Sequence, residues 1–228
     1  MVGWLEQQLA DTSSAEARAW LDAARAEIAR EPAAIRRLFP AAGRHVGRAS
    51  LGEDDDPWSW TVDDAARALL LAAHPDPASE IDELYRHGDT RERRAILRAV
   101  GMLDIDATHL LLDALRTNDT DLIAAALSNA RALGDDDLAQ AVLKCVFVGL
   151  DITRIQGLNE RVTPHLSRML ADFAHERIAA GRTVPAQVWP LIERYPPADR
   201  LEAIERELDS PVAERRDAAR AALAERKG

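Results

Sequence analysis

The residues best suited to chemistry fall in three clusters. The first is Gly43-Arg44-His45-Val46-Gly47-Arg48, followed by Trp58-Ser59-Trp60. Guanidinium groups match carboxylates and phosphates bidentately, so arginines four apart beside glycines suit a flexible anion clamp. A nearby indole can stack on a guanidinium or cover an apolar ligand. The plainer reading is that Arg44 and Arg48 pin this segment to carboxylates of the fold, such as Asp63 or Asp64. The second cluster centres on Lys144, one of two lysines in the chain, the other being Lys227. Lys144 interrupts the apolar run Ala141–Leu150, so it must snorkel, pair with a carboxylate or face a cavity. A buried lysine with a depressed pKa can act as nucleophile or base, whereas a paired one is structural. The third cluster is His175-Glu176-Arg177. Asp172 and His175 are three apart on an expected helix and could touch, and a His–carboxylate pair can move protons. A satisfied surface histidine is the alternative.

The common catalytic signatures are missing. There is no P-loop, no GxGxxG after a strand and no GxSxG elbow. His175-Glu176 starts like HExxH, but Ala179 stands where the second zinc ligand is required. One cysteine, Cys145, excludes a disulfide framework and any thiolate-rich metal site. No metal and no cofactor is therefore expected. The formal charge of -10 argues against nucleic acid and against adsorption to anionic lipid. The run Glu53-Asp54-Asp55-Asp56 reads as a solvated acidic turn.

The elements that must position these residues are helical. At 228 residues the chain is long enough to bury a core without disulfides. Ala and Leu dominate its apolar set, and the apolar residues recur with a 3.6 period. Helices are expected over 14–30, 32–38, 62–73, 81–86, 90–102, 107–116, 119–133, 136–149, 164–180, 185–194, 198–208 and 211–224. Residues 39–60 read as one long irregular stretch, the kind that carries function. Thr61 is the expected N-cap of the helix that follows, with Asp64 at the capping-box position. Gly181 is the expected C′ residue of the helix begun by Pro164. Lys144–Val148 carries β-branched residues, yet the helical pattern from Leu138 runs through it. The class is all-α: an irregular stack of antiparallel helical hairpins, as a HEAT-like α-solenoid or a helical array. A single domain over 1–228 is expected, with a C-terminal hairpin at 197–228 packed on it. The start MVGWLEQQLADTSS lacks a basic stretch followed by an apolar one, and no run approaches the roughly 20 residues that span a bilayer. A cytoplasmic protein is expected.

Several segments together resemble the EboA family of bacterial metabolite-traffic proteins. They are Trp60-Thr61-Val62-Asp63-Asp64-Ala65-Ala66-Arg67, Val142-Leu143-Lys144-Cys145-Val146-Phe147-Val148-Gly149, Ile155-Gln156-Gly157-Leu158-Asn159-Glu160-Arg161 and Met169-Leu170-Ala171-Asp172-Phe173-Ala174-His175-Glu176-Arg177. Ala180-Gly181-Arg182 and Trp189 follow in order, so the resemblance spans roughly residues 35–195. Asn159 and Ile178 depart from it, where an acidic residue and a tryptophan are expected. The resemblance implies a small operon that also encodes a membrane prenyltransferase, a sugar-phosphate-cyclase-like enzyme and hydrolase-like or TIM-barrel proteins. It implies a part in export or processing of specialised metabolites, as with the precursor of the sunscreen scytonemin, and names no reaction.

The leading expectation is a non-catalytic adaptor or carrier for a metabolite or a pathway enzyme, the membrane prenyltransferase among them. Its expected binding surface is Arg44, Arg48, Trp60, Asp63, Arg67, Lys144, Arg161, His175, Glu176 and Arg177. Arg44, Arg48 and Lys144 would hold an anionic group, and Trp60 would cover an apolar part. One alternative is an enzyme acting on a prenylated, phosphorylated or cyclitol-like intermediate, with Lys144 or the Asp172/His175/Glu176 group as acid/base. Another is a structural scaffold in which these side chains form a buried salt-bridge network.

Overall fold

Alanine- and leucine-rich segments fold as helices along residues 1–226, the part of the chain described by a computed structural model. Lys227 and Gly228, the end of the expected C-terminal hairpin, lie outside the described residues. The protein is all-α. Among the described residues no strand forms, and a single antiparallel bridge joins Ser50 to Thr61. No helix among them is long and apolar enough to cross a membrane.

The chain divides into two compact units, residues 1–132 and 133–228. The first contains α1 (Val2–Thr12), α2 (Ala15–Arg30), α3 (Ile35–Val46), α4 (Val62–Ala73), α5 (Ala78–His87), α6 (Thr90–Met102), α7 (Thr108–Arg116) and α8 (Thr120–Leu127). The second contains α9 (Asp135–Val148), α10 (Pro164–Ala179), the short α11 (Trp189–Ile192), α12 (Ala198–Arg206) and α13 (Ala213–Glu225). Single 3₁₀ turns fill several of the joints.

The first unit is built around α4. This helix is buried at every position from Val62 to Leu71 and packs against α1, α2, α3 and α6. A helix without a solvated face belongs in a core. Burying Leu69, Leu70 and Leu71 contributes about 2 kcal/mol each. The same burial carries Asp63, Asp64 and Arg67 inside, where each requires a partner.

Two departures from the sequence reading shape the site. Helix α1 forms where no periodic segment is expected, burying Leu5 and Leu9. Helix α3 is not a short element ending at Leu38. It continues through Pro40 to Val46, so residues 39–46 are helical and not loop. An interior proline costs a helix about 3 kcal/mol or more. Ile35, Leu38, Phe39, Ala41 and Ala42 are buried along α3, which packs on α4, and that burial offsets the cost. Gly43 and Arg44 therefore sit on the last turns of a helix. Gly47, at φ +86°, ends it in a conformation that favours glycine. The loop then returns to α4, with Leu51 N–H donating to Trp60 O at 2.7 Å and Val62 N–H to Ala49 O at 2.9 Å.

In the second unit α10 is the hub, packing on α9, α11, α12 and α13. It begins at Pro164, and Gly181 follows it at φ +68° as its C′ residue. Lys144–Val148 is helical, as the pattern from Leu138 indicates.

Candidate functional site

The densest polar arrangement lies between α4 and α6. Asp63 and Asp64 open α4 with no exposed surface, and Arg67 follows one turn later at 2% exposure. Arg67 Nη1 donates to Asp63 Oδ2 at 2.7 Å, and its Nε donates to Phe39 O at 3.2 Å. The Thr61 hydroxyl donates to Asp63 Oδ1 at 2.7 Å and accepts from Arg94 Nη2 at 2.9 Å. The expected capping box is present, with Thr61 N–H donating to Asp64 Oδ2 at 3.4 Å.

Helix α6 supplies the facing cations. Arg94 Nε lies 3.0 Å from Asp64 Oδ2, and its Nη1 lies 2.8 Å from Asp121 Oδ2 at the start of α8. Arg98 Nη1 lies 3.3 Å from Asp64 Oδ2. The same guanidinium donates to Ser59 O and, through Nη2, to Pro57 O at 2.9 Å, while its Cζ lies 5.5 Å from the centre of the Trp60 ring. Arg98 thus ties the loop to the core. Arg91 Nη1 stands 3.9 Å from Asp63 Oδ1, and Arg67 Nη2 stands 4.0 Å from Glu92 Oε1.

The two adjacent carboxyls are pushed apart electrostatically. Burial pushes Asp63 up, but the Thr61 hydroxyl and the Arg67 and Arg91 guanidiniums outweigh it and hold the group below the usual range. Burial dominates at Asp64 and pushes it up against the charges of Arg98 and Arg94, with Asp63 adding to the rise. Burial also lowers Arg98, whereas at Arg94 the attraction of Asp64 and Asp121 overcomes burial and raises it. Both carboxylates are without exposed surface and are held by guanidiniums and by Thr61.

Arg44 and Arg48 are exposed, and among the described residues neither is in ion-pair reach of a carboxylate. The pinning role one would assign them belongs to Arg67, Arg94 and Arg98. Of the expected surface, the first unit holds Arg44, Arg48, Trp60, Asp63 and Arg67, and the second holds Lys144, Arg161, His175, Glu176 and Arg177.

In the second unit Lys144 is half-buried on α9. Arg161 donates through Nη2 to Leu133 O at 2.8 Å and to Asp135 Oδ1 at 2.5 Å, bracing the start of α9. Asp172 and His175 do not pair. Asp172 Oδ1 lies 2.5 Å from Arg200 Nε, and His175 Nε2 lies 3.8 Å from Glu207 Oε1. The contact of α12 with α10 brings Arg200 to Asp172, and this competes with pairing along the helix. Glu176 is exposed. Arg177 is half-buried, lies 5.6 Å from the Phe173 ring and donates to Thr183 O beyond the end of α10. Burial pushes the Cys145 thiol up to about 12. No cluster of three or more His, Cys, Asp or Glu fit for a metal occurs among the described residues. A surface depression of about 660 Å³ is lined by Glu193, Glu205, Leu208, Leu223 and Arg226, none of them on the expected surface.

Sequence reasoning named Asp63 and Asp64 as pairing carboxylates but missed Arg91, Glu92, Arg94, Arg98 and Asp121 as members of the network. The available signal was the spacing of Arg91, Arg94 and Arg98, which places three guanidiniums on one face of α6. An arginine stripe reads as a solvated face unless something identifies buried carboxylates opposite it.

Fold and geometry together define an all-helical protein whose first unit is closed around an arginine–carboxylate network. Residues 1–193 match the family model described as "Metabolite traffic protein EboA", and the chain belongs to the EboA family. The match ends within a residue of α11, so α12 and α13 lie beyond it. No curated protein and no solved structure matches the chain.

Proposed function

We propose that this chain is a non-catalytic carrier or adaptor in the traffic of a small metabolite. The observation that carries this reading is the contrast within the first unit. Asp63, Asp64, Arg67, Arg94 and Arg98 satisfy one another inside the core, while Arg44 and Arg48 stay exposed with no carboxylate in ion-pair reach among the described residues. A general acid or base needs reach to a substrate proton, and these carboxylates lack it. Exposed guanidiniums without a partner are suited to an anionic ligand. The chemistry in the second unit points the same way: the thiol is buried and protonated, and His175 stands off Asp172. The family description supports metabolite handling.

On this reading Arg44 and Arg48 meet the charged end of the ligand, and Trp60 covers an apolar part. Lys144, Arg161, His175, Glu176 and Arg177 belong to a surface of the second unit for a ligand or a pathway enzyme. Prenylated and cyclitol-type intermediates are the first classes to screen, and the membrane prenyltransferase is the first partner to test. The experiment is a thermal-shift screen of purified chain against such intermediates. A ligand selective for the folded state raises the midpoint, by RT ln(1 + [L]/Kd) in free-energy terms. Protection by one intermediate supports the carrier. A flat response with co-purification of a partner enzyme supports the adaptor. Catalytic turnover of an intermediate overturns both.

A further inference from the structure

We propose that the hollow bordered by α12 and α13 in the second unit binds a small primary amine with an aliphatic body. The ammonium sits on Glu205 and the body lies on Leu208 and Leu223. None of these residues carries the carrier reading, so either can fail without the other.

The hollow measures about 660 Å³ and is lined by Glu193, Glu205, Leu208, Leu223 and Arg226. Small-molecule sites span roughly 300–1,000 Å³, so the space suits a compact ligand. Of the five residues only Glu193 falls within the stretch matched by the family model, so the family description assigns no ligand here. Glu193 is the C-cap of α11, and Glu205 lies in the last turn of α12. Leu208 stands in the 3₁₀ turn Glu207–Asp209, Leu223 in the last turn of α13, and Arg226 directly follows α13. Packing of that turn on both α12 and α13 holds the lining together.

The polar groups of the hollow are unequally engaged. Arg226 Nε donates to Glu193 Oε1 at 2.6 Å. Its Nη1 stands 3.6 Å from Glu205 Oε1, beyond hydrogen-bond reach. Glu193 is therefore occupied, and Glu205 is the carboxylate left open to a donor. Two carboxylates against one guanidinium leave the lining with a single negative charge, which one ammonium neutralises. An ammonium carries three donors and no acceptor, which suits a carboxylate acting alone. An anion would meet repulsion from Glu205 and would compete with Glu193 for Arg226. Leu208 and Leu223 are half-buried, so each keeps apolar surface in water. An aliphatic chain laid on them removes that surface from solvent.

The test is an NMR titration of the full chain with butylamine, hexylamine, 1-hexanol and hexanoate at constant pH and ionic strength. The expected result is saturable shifts of the Glu205, Leu208 and Leu223 amide signals with both amines. Hexylamine binds about tenfold tighter than butylamine, because two further methylenes leave water. Hexanol binds about threefold more weakly than hexylamine for want of the ion pair, and hexanoate more weakly still. Glu205→Gln, at an exposed position of α12, lowers the affinity for hexylamine to that for hexanol. Arg226→Gln raises it by about threefold by leaving both carboxylates unneutralised, a gain that misfolding does not imitate. Equal binding of hexanol and hexylamine, or an unchanged hexylamine affinity in Glu205→Gln, marks a mere apolar patch and overturns the proposal. Tighter binding of hexanoate than of hexylamine, weaker amine binding in Arg226→Gln, or shifts that never saturate overturn it as well.

Discussion

Arg94 and Asp64, thirty residues apart in the chain, meet inside the first unit with Arg94 Nε 3.0 and 3.2 Å from the two carboxylate oxygens. The aspartate has no exposed surface. This contact sets α4 and α6 against each other, and Arg98 extends it to the loop at Pro57 and Ser59.

Removing Arg94 leaves the buried Asp64 with Arg98 as its remaining guanidinium and Asp121 without its facing cation. Arg94→Met is expected to cost about 3–5 kcal/mol in denaturant unfolding. Arg44→Ala, at an exposed position outside the network, is expected to stay within about 0.5 kcal/mol of wild type. Equal effects of the two substitutions would show that the network does not stabilise the fold.

The acid limb of the stability profile reports Asp63. Its folded pKa is lowered from the ordinary 3.8, so its contribution is fully present above that value and is lost as pH falls through the folded value. Asp63→Asn is therefore expected to be most destabilising near neutral pH. Its difference from wild type should shrink below about pH 4. A difference that grows on acidification would reverse the assigned sign.

Cys145 has no exposed surface, and its thiol is pushed up to about 12 by burial. The thiolate is the reactive species, so a thiol reagent at neutral pH should leave the folded chain unmodified. Labelling should appear only across the unfolding transition. Rapid stoichiometric labelling of the native chain would place the thiol in an open environment.

Gly181 combines φ +68° with a position where a Cβ would stand 2.9 Å from the Glu214 Cβ. Gly181→Ala is expected to lower stability by about 1–2 kcal/mol from backbone strain alone, with crowding adding to it. The check is thermal or denaturant unfolding. A neutral outcome would mean that α10 and α13 separate here at little cost.

The stops and starts of helices were legible because local chemistry dictates them. Thr61 and Asp64 cap α4, Pro164 opens α10 and Gly181 closes it, as the residue types indicate. The all-α class followed from the 3.6 period and from few β-branched residues. Helix α3 was not legible past Pro40, because a proline reads as a break and the compensating burial of Phe39, Ala41 and Ala42 is tertiary. For the site, Asp63 and Arg67, which pair with each other, stand in the resemblance motif, but the partners of Asp64, which are Arg94 and Arg98, were not picked out. Arg94 and Arg98 look like a solvated stripe until α4 is known to bury its first turn. The Asp172–His175 pairing failed because α12 brings Arg200 to Asp172, a contact with no local signature.

The most direct test of the carrier reading is mass spectrometry of small molecules before and after incubation with the purified chain. The sample is a metabolite extract of cells that produce the chain, with protein-bound and free fractions analysed separately. The account predicts one metabolite enriched in the bound fraction, unchanged in mass and never exceeding the protein in amount. Consumption of a metabolite in excess of the protein, with a new product in the free fraction, would contradict it.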